Sequence, residues 1–161
     1  MIRDMLKNDK RQILDIYEKG LKTKNATFET NLPSWEEWDA HHHKHSRFVY
    51  LNNNSIIGWV ALSPVSTRYV YRGVAEISIY IDPDYSGRGI GSELMEKAIF
   101  SSEVNGIWTL YASIFPENKA SLRLHEKFGF RKIGMREKIA SLDGIWRDTI
   151  ILERRSANVG M

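Results

Sequence analysis

Residues Val74 to Asp82 read VAEISIYID, and apolar and polar side chains alternate along them almost without a break. A period of two is a β-strand, because successive side chains leave opposite faces of a sheet. Ala75, Ile77, Ile79 and Ile81 therefore share one face, and Glu76, Ser78, Tyr80 and Asp82 the other. The pattern then changes abruptly. Three glycines fall between Ser86 and Ser92, after which Ile90, Leu94 and Ala98, with Met95 and Ile99, recur at helical spacing to about Val104. A strand that enters a helix through so dense a glycine turn requires layered helices and strands, and it brings the turn's backbone N–H groups to the helix N-terminus.

The rest of the chain fits that architecture. A short edge strand is expected within Met1–Met5, and Ile13, Leu14, Ile16, Tyr17 and Leu21 give a helix from Asp9 to Leu21 with Gly20 near its end. After the polar loop TKNATFETNLPS, Ser34 and Glu37 have capping-box spacing, which starts a helix at Trp35 that runs to about His45. Arg47–Leu51 and Ser55–Val65 read as a hairpin across an asparagine turn. IWTLYASIF is a further strand, and NKASLRLHEKFGF is a helix ending at Gly129 whose Ala120, Leu124 and Phe128 would pack on the sheet. RKIGMREKI and WRDTIILER complete the order βααβββαβαββ: a mixed α/β fold, with a central mixed sheet flanked by helices on both faces.

Composition narrows the function classes. The chain has 161 residues, 42% of them hydrophobic and 27% charged, which suits one domain over 1–161 with a real core. No apolar run approaches the roughly 20 residues of a membrane span. Met1–Arg11 is charged and lacks the apolar stretch of a secretory signal. With no cysteine there are no disulfides, thiolate metal sites or cysteine nucleophile, and a cytoplasmic location is expected. The net charge of +3 suits an anionic ligand but is spread along the chain, which is a poor footprint for nucleic acid. His41 and His45 would lie one helical turn apart, yet no further ligand pattern accompanies them, so no metal site is expected.

Three phosphate-binding patterns compete for the glycine stretch. A dinucleotide fingerprint fails because Ser92 stands where its third glycine belongs, and no Gly-Lys-Ser/Thr triplet exists for a Walker A loop. What remains is Ser86, Gly87, Arg88, Gly89, Ile90, Gly91 and Ser92 between strand and helix, an arrangement that points successive N–H groups at a pyrophosphate. The competing explanation is a tight turn that only needs positive φ.

YSGRGIGSELM resembles the acyl-coenzyme A pyrophosphate loop of the GNAT superfamily of N-acetyltransferases, written Gln/Arg-x-x-Gly-x-Gly/Ala. Ser86 stands where that superfamily has Gln or Arg, so the phosphate contact there is weaker or falls to Arg88. NKASLRLHEKFGF is similar to the superfamily's N-x-x-A-x-x-L-Y-x-K-x-G-F helix. Within it, ATFET, YRGVAEISIYI, LHEKFGF and GIWRD resemble the phosphinothricin/methionine sulfoximine N-acetyltransferase group, over nearly the whole chain. The resemblance implies a GNAT-type fold, acetyl-coenzyme A as acyl donor, a small amino-acid-like amine as acceptor and a homodimer. The alternatives are a protein N-terminal or lysine acetyltransferase and a non-catalytic acyl-coenzyme A-binding module.

Acetyl transfer to an amine requires that the ammonium lose a proton and that the thioester carbonyl be held. Glu76 lies six residues before Asp82, roughly 20 Å of strand, so a pantetheine arm along Ile79 and Ile81 would bring its thioester to Glu76. The resembled group has its base here; otherwise Glu76 is a strand glutamate paired with a cation. His125 follows Asn118 by seven residues, so the two share a helix face, with Asn118 on the cofactor. Most of the superfamily has a tyrosine acid where this chain, like the resembled group, has His125. Phe28 and Glu29 in the first long loop, with Arg68, Tyr71 and Arg72 before the strand, are the expected acceptor-binding residues, the arginines as a fork for a carboxylate or phosphinate.

Overall fold

The computed structural model describes residues 1–161, and its elements follow the expected order: β1 Ile2–Asp4, α1 Lys10–Lys22, α2 Trp35–His41, β2 Phe48–Asn52, β3 Ser55–Pro64, β4 Val74–Ile81, α3 Ile90–Val104, β5 Thr109–Ile114, α4 Lys119–Lys127, β6 Arg131–Leu142 and β7 Ile145–Arg155. The strands form one seven-stranded sheet in the order β1-β2-β3-β4-β5-β7-β6. All pairings are antiparallel except β4 with β5, which α3 connects as a crossover. No helix is long and apolar enough to cross a membrane.

The alternation of β4 sorts its side chains between two cores. Ala75 and Ile77 enter the larger one, with Ile79 and Ile81 at its margin, against Leu94, Met95 and Ala98 of α3 and Leu110, Ala112, Ile150 and Leu152 of β5 and β7. Tyr80 packs on the smaller one, where Ile13 and Ile16 of α1 and Trp38 of α2 cover Val49, Trp59 and Ala61. Glu76 and Ser78 share that second face.

Gly20 lies near the end of α1, which runs to Lys22; a Cβ there would come within 2.6 Å of the Tyr80 ring, so the glycine also admits that ring against the helix. Three local expectations are corrected. The capping box at Ser34 forms, its Oγ accepting from Glu37 N, but α2 stops at His41 and His42 is already extended. The cause is Arg47: its guanidinium donates to the carbonyl oxygens of Asp39 and His42, both at 2.9 Å, and of His43. The orphan carbonyls of the last turn are thereby satisfied from outside the helix, and His41 and His45 lose their one-turn relation. On α4, Ala120 is exposed, whereas Leu124 and Phe128 do pack against the core. Finally, β6 and β7 run longer than the patterning suggests, because Asp143 and Gly144, with φ of 51° and 79°, make a two-residue hairpin turn between them.

Candidate active site

The sheet is forked. β4 pairs with β5 only at Val74–Thr109, Ala75–Leu110 and Glu76–Tyr111, although β4 continues to Ile81 and β5 to Ile114. Beyond Glu76 the two strands separate, and the edge of β4 from Ile77 to Ile81 has no strand on that side. A cleft of about 1040 Å³ occupies the gap and is lined by both strand edges, the glycine loop, the start of α4 and the loop after α1.

At one end of the cleft the glycine loop turns into α3. Gly87 and Gly89 have φ of 75° and 80°, and Gly89 is the residue that caps the helix. The turn therefore needs positive φ at both, and no neighbour lies within 4 Å of a Cβ built at either. Their open face is where an anion can reach the N–H groups of a 15-residue helix. Gly91 has a different reason. A Cβ there would stand 3.1 Å from Leu124 Cδ2, so its missing side chain lets α4 approach α3. The Ser86 hydroxyl donates to Pro83 O at 3.1 Å, and the Arg88 guanidinium lies 5.0 Å from the Tyr85 ring centroid. Ile79, Ile81, Ile90, Ser92 and Asn118 line the same cleft.

At the fork stands Glu76. Burial pushes its carboxyl above the usual carboxylate range, and any positive charge on His41 opposes that shift. It forms no ion pair, which removes the paired-glutamate explanation. A half-buried carboxylate with a raised pKa in a cleft is poised to accept a proton.

His125 is 5% exposed, edge-on to Phe130, and its Nδ1 lies 2.7 Å from Ser121 O. That carbonyl can only accept, so Nδ1 carries the proton and Nε2 is bare. Burial lowers the histidine's pKa, with the Ser121 hydrogen bond opposing it. A neutral imidazole so fixed presents a lone pair, not a proton, at Nε2.

The loop after α1 closes the side of the cleft next to α4. Phe28 meets Phe115 edge-to-face at 4.8 Å between centroids. The Arg147 guanidinium covers Phe115 at 3.9 Å, reaches Asn25 Oδ1 and Glu117 at 3.1 Å each, and donates to Lys24 O. Asn118 Nδ2 donates to Asn25 O at 3.2 Å while its Oδ1 caps α4. Glu29, Glu37, Tyr17, Trp38, His41, His42, Trp59, Ser63 and Tyr80 also line the cleft. Most were not foreseen, because aromatic residues at helical or strand spacing read as core.

Arg68, Tyr71 and Arg72 do not line the cleft. They belong to a 3₁₀ turn before β4, at the closed end of the fork. Arg72 lies over the rings of Tyr69 (4.2 Å) and Trp108 (5.3 Å), and Arg68 lies 5.6 Å from Tyr71. Their cations are held by aromatic faces. Arg72→Ala should therefore leave the KM values of amine and acyl donor alike within about threefold of the parent; steady-state kinetics with each varied in turn checks this.

Known proteins share this design. YwnH of Bacillus subtilis (strain 168) is 35% identical over 152 residues, covering 91% of this chain and 93% of its own. The phosphinothricin N-acetyltransferase of Alcaligenes faecalis is 31% identical over 160 residues, covering 95% of this chain and 81% of its own. The crystal structure of a phosphinothricin acetyltransferase from Sinorhizobium meliloti in complex with AcCoA superposes with a TM-score of 0.90 at 27% identity, over 99% of this chain and 90% of that one. The sequence model of the Acetyltransferase (GNAT) family matches residues 11–130, and with a forked sheet, a left-handed glycine loop and relatives of this similarity, the chain belongs to that family.

Proposed function

We propose that the chain is a single acetyl-coenzyme A-dependent N-acetyltransferase domain that acetylates the amine of a small amino-acid-like molecule, with Glu76 as the general base. The observation that carries this is the placement of Glu76 at the point where β4 and β5 part. The unpaired edge of β4 leads from that carboxylate to the glycine loop. Backbone groups on such an edge need hydrogen-bond partners, and the amide-bearing pantetheine arm of coenzyme A supplies them. Ile79, Ile81 and Asn118 would flank that arm. The N–H groups around Gly87, Arg88, Gly89 and Ile90 would hold the pyrophosphate, and Gly91 and Ser92 continue the first turn behind them.

Acetyl-coenzyme A supplies an activated acyl group as a thioester. The residues supply the rest. Glu76 takes a proton from the acceptor's ammonium, directly or through a water, so that the free amine can attack the thioester carbonyl. Without cysteine, direct attack is preferred to an acyl-enzyme. A thiol of the cysteine type has a pKa of about 8.5, so coenzyme A can leave as thiolate and be protonated by solvent. The bare Nε2 of His125 is suited to holding a water or a polar group of the cofactor, not to donating the proton. Phe28 and Glu29, on the loop held by Arg147 and Asn118, would bound the acceptor.

Relatives named for phosphinothricin and for methionine sulfoximine and methionine sulfone support a small acceptor. The exposed apolar residues Ile133, Met135, Ile139, Ile145 and Trp146 on β6 and β7, at the free edge of the sheet, fit pairing with a second copy and hence a homodimer. The test is coenzyme A release with methionine sulfoximine, phosphinothricin, methionine sulfone, polyamines and a peptide panel. Turnover confined to the amino-acid-like amines supports the reading, turnover confined to peptides favours a protein acetyltransferase, and binding of acetyl-coenzyme A without turnover leaves a binding module.

A further inference from the structure

α2 ends in the wall of the cleft that also holds Glu76. Arg47 stops the helix at His41 and pulls the following segment across the sheet, and His43 N donates to Leu62 O at 2.8 Å. Leu62 adjoins Ser63, the residue of β3 that pairs with Glu76 of β4. That anchor brings His41 and His42 into the cleft wall that faces the fork.

The two histidines then differ. His42 is locked: its Nδ1 lies 2.6 Å from Trp38 O, its ring stacks on Trp38 at 4.0 Å, and burial lowers its pKa to about 4, leaving it uncharged. His41 is exposed, meets the His42 ring edge-on at 5.3 Å between centroids, and has neither a hydrogen bond nor an ion pair within the protein. On its own helix, Asp39 is engaged by Lys44 at 2.7 Å and Arg47 at 2.5 Å, and Glu37, one turn before His41, accepts from Ser34 N at 3.1 Å. The other ionisable groups on this wall are Tyr17 of α1, Glu29 of the loop, Glu37 of α2 and Tyr80 of β4. Burial keeps both tyrosines protonated, and the two glutamates carry the same sign as Glu76. His41 is thus the one side chain of this wall that can bring positive charge to Glu76.

We propose that His41 is a positioning residue for the base, its imidazolium holding Glu76 ionised so that the enzyme works at a lower pH than a buried glutamate alone would permit. This rests on the reading of Glu76 as base. The sign follows from electrostatics: a nearby cation favours the carboxylate and opposes the desolvation that favours the acid. Removing the cation raises the Glu76 pKa, and the pH below which activity is lost moves upward.

Three proteins test this: the parent, His41→Gln and His41→Lys. Isotope-edited NMR of the glutamate carboxyl carbons, with Glu76 assigned from the spectrum of Glu76→Gln, gives its titration midpoint without any turnover. The midpoint should rise by about half a pH unit or more in His41→Gln and stay at or below the parent value in His41→Lys. The acidic limb of the kcat/KM profile should move in the same directions. A midpoint that moves while the rate profiles superimpose would support the His41 contact and reject Glu76 as base. Coincident midpoints in all three proteins would overturn the proposal, as would an equal upward shift in both variants, which would mark His41 as a packing residue only.

Discussion

Glu76→Gln should lower kcat at pH 7 by about 10²–10⁴-fold, the usual worth of one positioned base. The amide keeps the shape and hydrogen-bonding reach of the carboxylate and loses only its basicity, so the affinity for acetyl-coenzyme A should change less than twofold or so. Most amines are protonated at pH 7, and part of the lost rate should return as the pH approaches the amine's own pKa, because solvent then delivers the free base. The parent enzyme should behave differently at the acid end. Burial holds Glu76 above the usual carboxylate range, so its activity should fall as the pH drops through that raised value, and Glu76→Gln should lack this limb. Pre-steady-state rates across the pH range check both points. Wild-type kcat for the variant at pH 7 would mean that the amine arrives already deprotonated.

Gly89→Val should weaken acetyl-coenzyme A binding tenfold or more, about 1.4 kcal/mol. Two effects contribute. A β-branched residue is strained at a φ of 80°, and its branches would project into the open side of the loop, where nothing in the protein lies within 4 Å of the added Cβ. Gly106→Val controls for the first effect alone: it shares a φ of 79° and open surroundings but lies past the far end of α3. Calorimetry should show weakened binding for Gly89→Val and near-parental binding for Gly106→Val. Equal, parental affinity in both would exclude the loop as the pyrophosphate site.

Those two residues were legible in the sequence for a plain reason. Glu76 is the one glutamate on the polar side of a strict alternation, and Gly89 sits where strand periodicity gives way to helix periodicity, so local pattern points at each. The element order was legible in the same way. The misplaced features depend on partners that the local periodicity does not reveal. α2 was expected to reach His45, and nothing within HHHKH says that Arg47 will fold back onto its carbonyls. The arginines before β4 carried the charge expected of a carboxylate clamp, but Tyr69 and the remote Trp108 take up Arg72 at the closed end of the fork. Gly91 was grouped with the phosphate-facing glycines, whereas its neighbour is Leu124, thirty-three positions away. The aromatic wall of the cleft was hidden because Trp38 and Trp59 also belong to the core. The tether from Arg147 to the loop at Asn25 spans 122 positions and has no local pattern at all.

The fork also bears on how the fold holds together. Only three paired positions join the β1–β4 half of the sheet to the β5–β7–β6 half, all of them at one end. The molecule resembles a clothes peg whose spring is α3 and the apolar core beneath it, with jaws that no ladder closes. A ligand that hydrogen-bonds along the free edge of β4 acts as an eighth strand, spliced between the jaws for each turnover and withdrawn afterwards. The enzyme's rigidity is then partly borrowed from what it binds. At a hundredfold excess over its Kd such a ligand adds about 2.7 kcal/mol to the folded state, and amide protection should rise on Ile77–Ile81 and Ala112–Ile114 before it rises elsewhere.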